Sequence, residues 1–192
     1  MFVVQTSSDD SHAEHDDYGL VQRSLQGDTQ SFRLLYRRHQ QRVRGLLYPL
    51  CGDSMLDDLV QEVFLRAWKG LPKFRQHAKF STWLYRIAWN VASDHRQAAA
   101  KGRTQLQVLT HHAPVCQDSP DVMHLHYQDL VQRGLSQLSP DHCAVLMLHD
   151  LEEMPQKEIA EILEIPLGTV KSRLFHARAA MRQFLEKEGV QL

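Results

Sequence analysis

Long hydrophobic runs are absent from this chain of 192 residues, although hydrophobic residues make up 43% of it. No apolar run approaches the roughly 18 residues that a membrane-spanning helix needs, which argues against an integral membrane protein. The apolar start, Met1 to Val4, is followed by acidic residues instead of a long apolar segment, so a secretion signal is not indicated. We therefore expect a cytoplasmic protein.

Cysteine, glycine and proline are also scarce. The three cysteines, Cys51, Cys116 and Cys143, show no paired spacing, which suits a reduced compartment better than a disulfide framework. Glycine and proline together supply 16 residues, and runs rich in β-branched residues are few. We therefore expect an all-α fold.

The sequence patterns of an active site are missing as well. The chain has no glycine-rich phosphate loop, no nucleophile elbow and no metal-binding triad, so we expect no catalytic site, no cofactor and no small-molecule substrate. Twelve histidines leave a metal sensor as an alternative, carried by His111, His112 and Cys116 with His124 and His126 just beyond. Because no C-x-x-C or H-x-x-x-H pair accompanies them and a flexible linker does not preorganise a metal site, we prefer solvated histidines without a metal.

The net charge of −1 hides an uneven distribution along the chain. Residues 1–17 carry a net charge of −5 and show no periodicity, so we predict a disordered acidic tail. Residues 18–97 carry +7, residues 98–123 balance, and residues 124–192 carry −3. A strongly basic block inside a near-neutral protein is a first indication of a polyanionic partner.

Helical periodicity divides the chain into two small domains. In residues 18–97 it predicts four helices: a short one from Leu20 to Gln26, one of about twenty residues from Asp28 to near Pro49, one over DDLVQEVFLRAW (57–68) and one over FSTWLYRIAWNVASDHRQ (80–97). Gly70 and Pro72 stop the third, and Ser81 or Thr82 can cap the fourth. No amphipathic period survives in residues 98–123, where we predict a flexible linker.

The second domain, residues 124–192, contains a helix-turn-helix pattern. Ser139-Pro140 and Pro155 are helix starts, and the block IAEILEIPLGTVKSRL (159–174) joins two short helices, of which the second is basic. Glu164 occupies the turn position where glycine is common, and a left-handed backbone there would cost roughly 1 kcal/mol relative to glycine. The side chains expected to face outward suit the major groove, although a solvated basic face is the alternative; they are Thr169, Lys171, Ser172, Arg173, His176 and Arg178.

Taken together, the two domains resemble the extracytoplasmic-function sigma factors of the sigma-70 superfamily. DDLVQEVFLRAW resembles the family's polymerase-clamp helix, and FSTWLYRIAWNVASDHR resembles its promoter-melting helix, which reads the minus-ten element. Residues 138–182 resemble the domain that reads the minus-thirty-five element. The resemblance spans about residues 18 to 187, and it implies a sigma-2-like helical bundle joined by the linker to a sigma-4-like helix-turn-helix domain.

The resemblance also implies roles for individual residues. The residues that would face the polymerase clamp are Asp58, Gln61, Glu62 and Leu65. The residues that would contact the minus-ten element are Lys73, Arg75, Lys79, Trp83, Arg86, Asn90, Asp94 and Arg96. The minus-thirty-five element would meet the six outward residues of the helix-turn-helix. Duplex melting needs aromatic stacking surfaces and cations, which Tyr85, Trp83 and Trp89 with Arg86 and Arg96 supply, although Trp83 at helical spacing also suits core packing.

The partners implied are core RNA polymerase, contacted through its clamp helices and flap, promoter DNA, and an anti-sigma factor of a kind that is often membrane-anchored. The function implied is promoter-specific initiation of transcription without a catalytic site of its own. A stand-alone repressor or activator that uses only the C-terminal helix-turn-helix is the alternative. The aromatic and basic helix at residues 80–97 argues against it, because a repressor has no use for a melting surface.

Overall fold

Eight α-helices make up the described part of the chain in the computed structural model, which describes residues 9–74, 79–103 and 122–190. They are α1 (Asp9–Leu25), α2 (Thr29–Cys51), α3 (Leu56–Gly70), α4 (Phe80–Arg103), α5 (Val122–Ser136), α6 (Pro140–Leu146), α7 (Gln156–Leu163) and α8 (Leu167–Lys187). A 3₁₀ turn, Leu71–Lys73, follows α3, and a π-helical turn, Met147–Leu151, follows α6. These ranges contain no strand, so the predicted all-α fold is confirmed.

Helix α1 begins at Asp9, inside the segment 1–17 for which a disordered tail was predicted. The carboxylate of Asp17, in the middle of α1, is buried against α2. This carboxylate accepts a hydrogen bond of 2.5 Å from Nη1 of Arg38 and lies 2.7 Å from Nε2 of His39, both on α2. Because a buried charge needs such partners, Asp17 anchors α1 to α2, a role that the local acidic pattern does not reveal.

The boundaries of α2 follow from its capping residues. Asp28 accepts hydrogen bonds from the backbone N–H groups of Gln30 and Ser31, at 2.9 and 3.3 Å, as an N-cap does. At the other end the helix passes the expected stop at Pro49 and ends at Cys51. Gly52, at φ 77°, closes it by donating its N–H to the carbonyl of Tyr48. Pro49 therefore lies in the last turn of the helix.

Helix α3 ends at Gly70, as predicted, but α4 is longer than expected. It begins at Phe80 and continues to Arg103, past the predicted linker boundary at residue 98. Ser81 and Thr82 lie within its first turn instead of capping it. Residues 104–121, the greater part of the predicted linker, lie outside the described residues.

The turns of the C-terminal half follow the sequence signals closely. Ser139 caps α6, its hydroxyl accepting from the N–H of His142 at 3.3 Å, and Pro155 stands immediately before α7. Glu164 adopts the left-handed conformation, with φ 55° and ψ 43°, and thereby turns the chain from α7 into α8. Glu153 is a second left-handed residue, at φ 52°.

The two halves pack against each other. Buried side chains of α1 to α4 and of α5 to α8 form one continuous hydrophobic cluster, with Leu35 and Leu84 on one side and Leu148 and Ile159 on the other. Helix α4 packs on α7, and α2 packs on α6. This packing determines which parts of α4 are exposed.

Candidate nucleic-acid interface

The outer face of α3 carries the four residues expected at the polymerase clamp. Asp58 and Gln61 are exposed, Glu62 is half-buried, and the side chain of Leu65 is 52% exposed. The opposite face packs into the core through Leu59, Val60, Val63, Phe64 and Ala67. The amphipathic pattern therefore places all four residues on the solvent side of the helix.

Gln61 and Leu65 also line an apolar groove of about 340 Å³ between α2 and α3, here called the α2–α3 groove. Its wall contains a T-shaped ring pair, Phe32 and Trp68, with centroids 4.8 Å apart. The complete lining is Thr29, Phe32, Tyr36, Gln61, Phe64, Leu65 and Trp68. The sequence interpretation did not include Phe32 and Trp68, although Trp68 departs visibly from the buried stripe of α3.

One guanidinium connects α3 with α4. Nε of Arg66 lies 2.8 Å from the carboxylate of Glu62, and its Nη1 lies 2.8 Å from the carboxylate of Asp94. These hydrogen bonds, above all the one that Arg66 donates to Asp94, raise the pKa of Arg66 above its ordinary value. A residue expected at the clamp and a residue expected at the minus-ten element therefore share one cation.

Three of the expected minus-ten residues form a stripe on α4. Arg86, Asn90 and Asp94 follow each other at intervals of four residues, and all three are exposed. We call them the α4 stripe. Lys73 and Lys79 are exposed near the start of the helix, whereas Arg75 lies outside the described residues.

The other two expected minus-ten residues are engaged in packing. Trp83 is half-buried in a ring cluster, 4.9 Å from Phe74 and 5.8 Å from Phe80 between centroids. Arg96 lies over the ring of Trp89, with 4.9 Å between its guanidinium carbon and the ring centroid. Its Nη1 is buried and has no hydrogen-bond partner within the part of the chain that the structure describes. The geometry therefore favours the packing interpretation of Trp83.

Tyr85, expected in the stacking surface, is 2% exposed and donates its hydroxyl hydrogen bond to Glu152. Neighbouring residues of α4 are also joined to the C-terminal half. The hydroxyl of Thr82 donates to Glu158 at 2.9 Å, and Arg86 of the α4 stripe pairs with Glu164. Sequence periodicity cannot show these contacts, because they join residues more than sixty positions apart in the chain.

The six residues expected at the minus-thirty-five element divide into two groups around α8. Thr169, Ser172, Arg173 and His176 share one edge, spaced at three and four residues. Lys171 and Arg178 lie at the other edge of the exposed surface. Arg173 is paired with Asp141 of α6 at 2.6 Å, and this contact holds its guanidinium near the first edge.

Arg178 is engaged by the π-helical turn. Its Nε lies 3.0 Å from Oδ2 of Asp150, and this bond raises the pKa of Arg178. The same pair lowers the pKa of Asp150, with a smaller contribution from the hydrogen bond to His149. The geometry therefore fixes Arg178 to the edge of α8 farther from Arg173.

Between α5, α6 and α8 lies a larger groove of about 860 Å³, here called the C-terminal groove. Its floor is apolar, with Leu135, Met147 and Leu174, and its rim carries Lys171, Arg178 and Arg182 against the single acid Asp150. Phe175 at its edge is 71% exposed, the most exposed of the large hydrophobic side chains among the described residues. Sequence reasoning omitted Phe175, although it stands off the buried stripe Val170, Leu174 and Ala177.

Comparison with known proteins identifies the arrangement. The family model described as Sigma-70 region 2 matches residues 35–102, and the one described as Sigma-70, region 4 matches residues 128–181. An ECF RNA polymerase sigma-E factor of Haemophilus influenzae is 34% identical over 84% of this chain and 91% of its own length. This chain belongs to the extracytoplasmic-function sigma factors.

One further relative and two solved structures are also similar to this chain. The RNA polymerase sigma-H factor of Pseudomonas aeruginosa is 31% identical over 90% of this chain and 95% of its own. Among solved structures, CnrH in complex with the cytosolic domain of CnrY has a TM-score of 0.67 at 24% identity, covering 90% of this chain and 98% of that chain. The sigma factor RpoE of Bartonella quintana, in complex with the anti-sigma factor NepR, has a TM-score of 0.65 at 22% identity, covering 82% and 98%. At these identities the structures show a shared fold.

Region 2 and region 4 correspond to the two halves described above, so the predicted family and its two-domain architecture are confirmed. Sigma factors are regulatory factors of transcription initiation, not enzymes. No helix in the described ranges is both long and apolar enough to cross a membrane. The described side chains also contain no group of three potential metal ligands; His111, His112 and Cys116 lie outside them, as do the side chains of His124 and His126.

Proposed function

We propose that this sigma factor brings core RNA polymerase to promoters by reading and melting the minus-ten element with α4 and reading the minus-thirty-five element with α8. The observation that carries the proposal is the α4 stripe. Its guanidinium, amide and carboxylate are exposed in one line, and Lys73 and Lys79 are exposed near the start of the same helix. Such a line offers a cation to phosphates and polar groups to the edges of unpaired bases.

Helix α8 supplies the duplex-reading surface of the proposal. Thr169, Ser172, Arg173 and His176 form an edge with hydrogen-bonding groups of different length, which major-groove recognition requires. Asp141 fixes the guanidinium of Arg173 at that edge. Lys171 and Arg178, on the other side, are placed to contact phosphates, and the exposed ring of Phe175 is suited to the methyl group of thymine.

The two grooves are the proposed polymerase contacts. The α2–α3 groove, with Asp58 and Glu62 beside it, fits the clamp helices, and the C-terminal groove fits the flap through its apolar floor of Leu135, Met147 and Leu174. Both are apolar clefts with exposed side chains, as partner-binding surfaces are. Because core RNA polymerase acts in the cytoplasm, we expect this sigma factor to act there.

We also propose regulation by an anti-sigma factor. Among the solved structures that share this fold, the sigma factor RpoE of Bartonella quintana is in complex with the anti-sigma factor NepR, and CnrH is in complex with the cytosolic domain of CnrY. Anchoring of the regulator in the membrane stays a prediction from the family resemblance.

The experiment is in vitro transcription with core polymerase and a promoter library. We expect promoter-specific initiation that depends on this protein. Absence of binding to core polymerase would contradict the proposal, and tight duplex binding without any effect of polymerase would favour the stand-alone regulator.

Two variants assign the reading surfaces. Arg173→Ala should weaken recognition of the upstream element by roughly 1–3 kcal/mol, about five- to 150-fold, whereas Lys187→Ala in the last turn of the same helix should not. Asn90→Ala should alter the minus-ten preference, with the exposed amide variant Gln41→Ala as the control. Unchanged promoter selection in either variant would refute that residue's assignment.

A further inference from the structure

The guanidinium of Arg66 joins helix α3 to the last residue of the α4 stripe. Its Nε donates to Oε1 of Glu62 at 2.8 Å, and its Nη1 donates to Oδ2 of Asp94 at 2.8 Å. Glu62 stands four residues before Arg66 on α3, the order in which a glutamate and a cationic side chain pair well on one helix. Because two carboxylates hold two different nitrogens of one planar group, the orientation of the guanidinium is fixed.

The same contact orients the carboxylate of Asp94. Its Oδ2 accepts from Arg66, and within the described part of the chain its Oδ1 accepts no hydrogen bond. A carboxylate accepts hydrogen bonds and donates none, so Oδ1 can meet the exocyclic amino group of an unpaired adenine or cytosine. The side chain of Asp94 is exposed, so its carboxylate is open to such a partner.

The charge of Arg66 has a second effect on Asp94. A carboxylate without a cation beside it would be repelled by the phosphates of DNA, because both carry negative charge. The hydrogen bond to Asp94 is the main reason why the pKa of Arg66 is raised, which shows that the charged form of the pair is favoured. Asp94 can therefore approach a base without the full repulsion of the phosphates.

We propose that Arg66 is a positioning residue for recognition of the minus-ten element. It holds the carboxylate of Asp94 in the orientation in which Oδ1 accepts from the amino group of an unpaired adenine or cytosine. The inference rests on the proposed function of α4, and Arg66 acts through Asp94, not on the DNA directly. The side chains of Arg66 and Asp94 are 42% and 61% accessible, and exposed ion pairs contribute little to stability, so the pair can be removed without unfolding the protein.

The test uses Arg66→Met, which keeps an unbranched side chain but removes its charge and both hydrogen bonds. The matched control is Arg44→Met, because Arg44 of α2 also pairs with an exposed aspartate of a neighbouring helix, Asp57 at the start of α3. The full-length proteins are assembled with core RNA polymerase. Initiation is measured in vitro on a promoter library randomised at the minus-ten element, and affinity for core polymerase is measured by competition with labelled wild type.

We expect Arg66→Met to weaken the preference for adenine or cytosine over thymine at one minus-ten position by about fivefold, the lower end of what one base contact contributes. Arg44→Met should leave this preference unchanged. Arg66→Lys should restore part of it, because an ammonium group still binds and neutralises the carboxylate. In the Asp94→Asn background, Arg66→Met should change the preference no further, because the carboxylate through which Arg66 acts is gone.

An equal loss of initiation on all minus-ten sequences, or a loss that persists beside Asp94→Asn, would overturn the inference, because Arg66 would then contact phosphates directly. Weaker binding of core polymerase with an unchanged base preference would overturn it too, since Arg66 would then serve the clamp face. If circular dichroism shows that Arg66→Met is unfolded, Asp94→Asn is measured instead, and an unchanged preference in that variant overturns the inference.

Transcription by the wild type separates the two proposals. If the wild type initiates at specific promoters and Asn90→Ala changes the minus-ten preference while Arg66→Met does not, the inference about Arg66 alone is refuted. Absence of promoter-specific initiation by the wild type refutes the proposed function.

Discussion

Replacing Glu153 by glycine should stabilise this sigma factor. Glu153 lies in the turn between the π-helical turn and α7, at φ 52°, and its side chain is exposed. The turn is held from both sides: the N–H of Glu152 donates to the carbonyl of Met147 at 3.1 Å, and that of Met154 donates to Leu148 at 3.0 Å. The neighbours therefore impose the left-handed conformation on a residue type that disfavours it.

The magnitude follows from two opposing effects. A left-handed residue with a side chain costs about 1–2 kcal/mol, which glycine avoids. Glycine also has greater freedom in the unfolded chain, which reduces the gain by about 0.4–1 kcal/mol. We expect Glu153→Gly to raise the free energy of unfolding by about 1 kcal/mol, or Tm by about 2–4 °C for a chain of this length.

The control variant also replaces an exposed glutamate by glycine, but it is expected to lower the free energy of unfolding. Glu161 is an exposed glutamate inside α7, where glycine should lower the free energy of unfolding by up to about 1 kcal/mol. Both variants are measured by thermal and urea unfolding, followed by circular dichroism. If Glu153→Gly were as destabilising as Glu161→Gly, the strain assigned to this turn would be refuted.

Three further predictions concern buried or paired groups. Asp17→Ala should lower the free energy of unfolding in urea by about 3 kcal/mol, because it removes the buried partner of an arginine and a histidine; a loss below about 1 kcal/mol would show that this contact contributes little. Burial raises the pKa of the Cys143 thiol to about 12, so iodoacetamide should alkylate the half-buried Cys51 faster in the native protein, and equal rates by peptide mass spectrometry would contradict this. The hydrogen bond from Arg178 lowers the pKa of Asp150 below its ordinary value of 3.8. The pair therefore stabilises the fold fully above about pH 3.8, and this contribution is lost as the pH falls through the lower native pKa. Asp150→Asn should therefore flatten acid unfolding below about pH 4, and an unchanged acid profile would argue against the pair.

The helix boundaries could be read from the chain wherever a local signal marks them. Ser139 with Pro140, Pro155 and Gly70 each act on the backbone within one turn, so their effect depends little on the rest of the fold. The end of α2 shows the limit of this reasoning. Pro49 is tolerated within the last turn of the helix, and Gly52, rather than the proline, closes it.

The candidate sites could be read only in part. Periodicity placed Asp58, Gln61 and Leu65 on the outer face of α3 and the α4 stripe on one line, because these positions depend on a single helix. The sequence could not show which of these side chains are buried, hydrogen-bonded or exposed. The hydrogen bond of Tyr85 to Glu152 and the orientation of Arg173 by Asp141 both depend on partners from other parts of the chain.

The sequence by itself determined the helical class, the order of the two regions and the residue types that each could offer to DNA. It did so because amphipathic spacing and capping act over a few residues. Only the tertiary structure decided which of those groups are open to a partner. Arg86 meets Glu164 and Thr82 meets Glu158 across more than seventy positions of chain, and side-chain pairing at that range is set by the packing of whole helices.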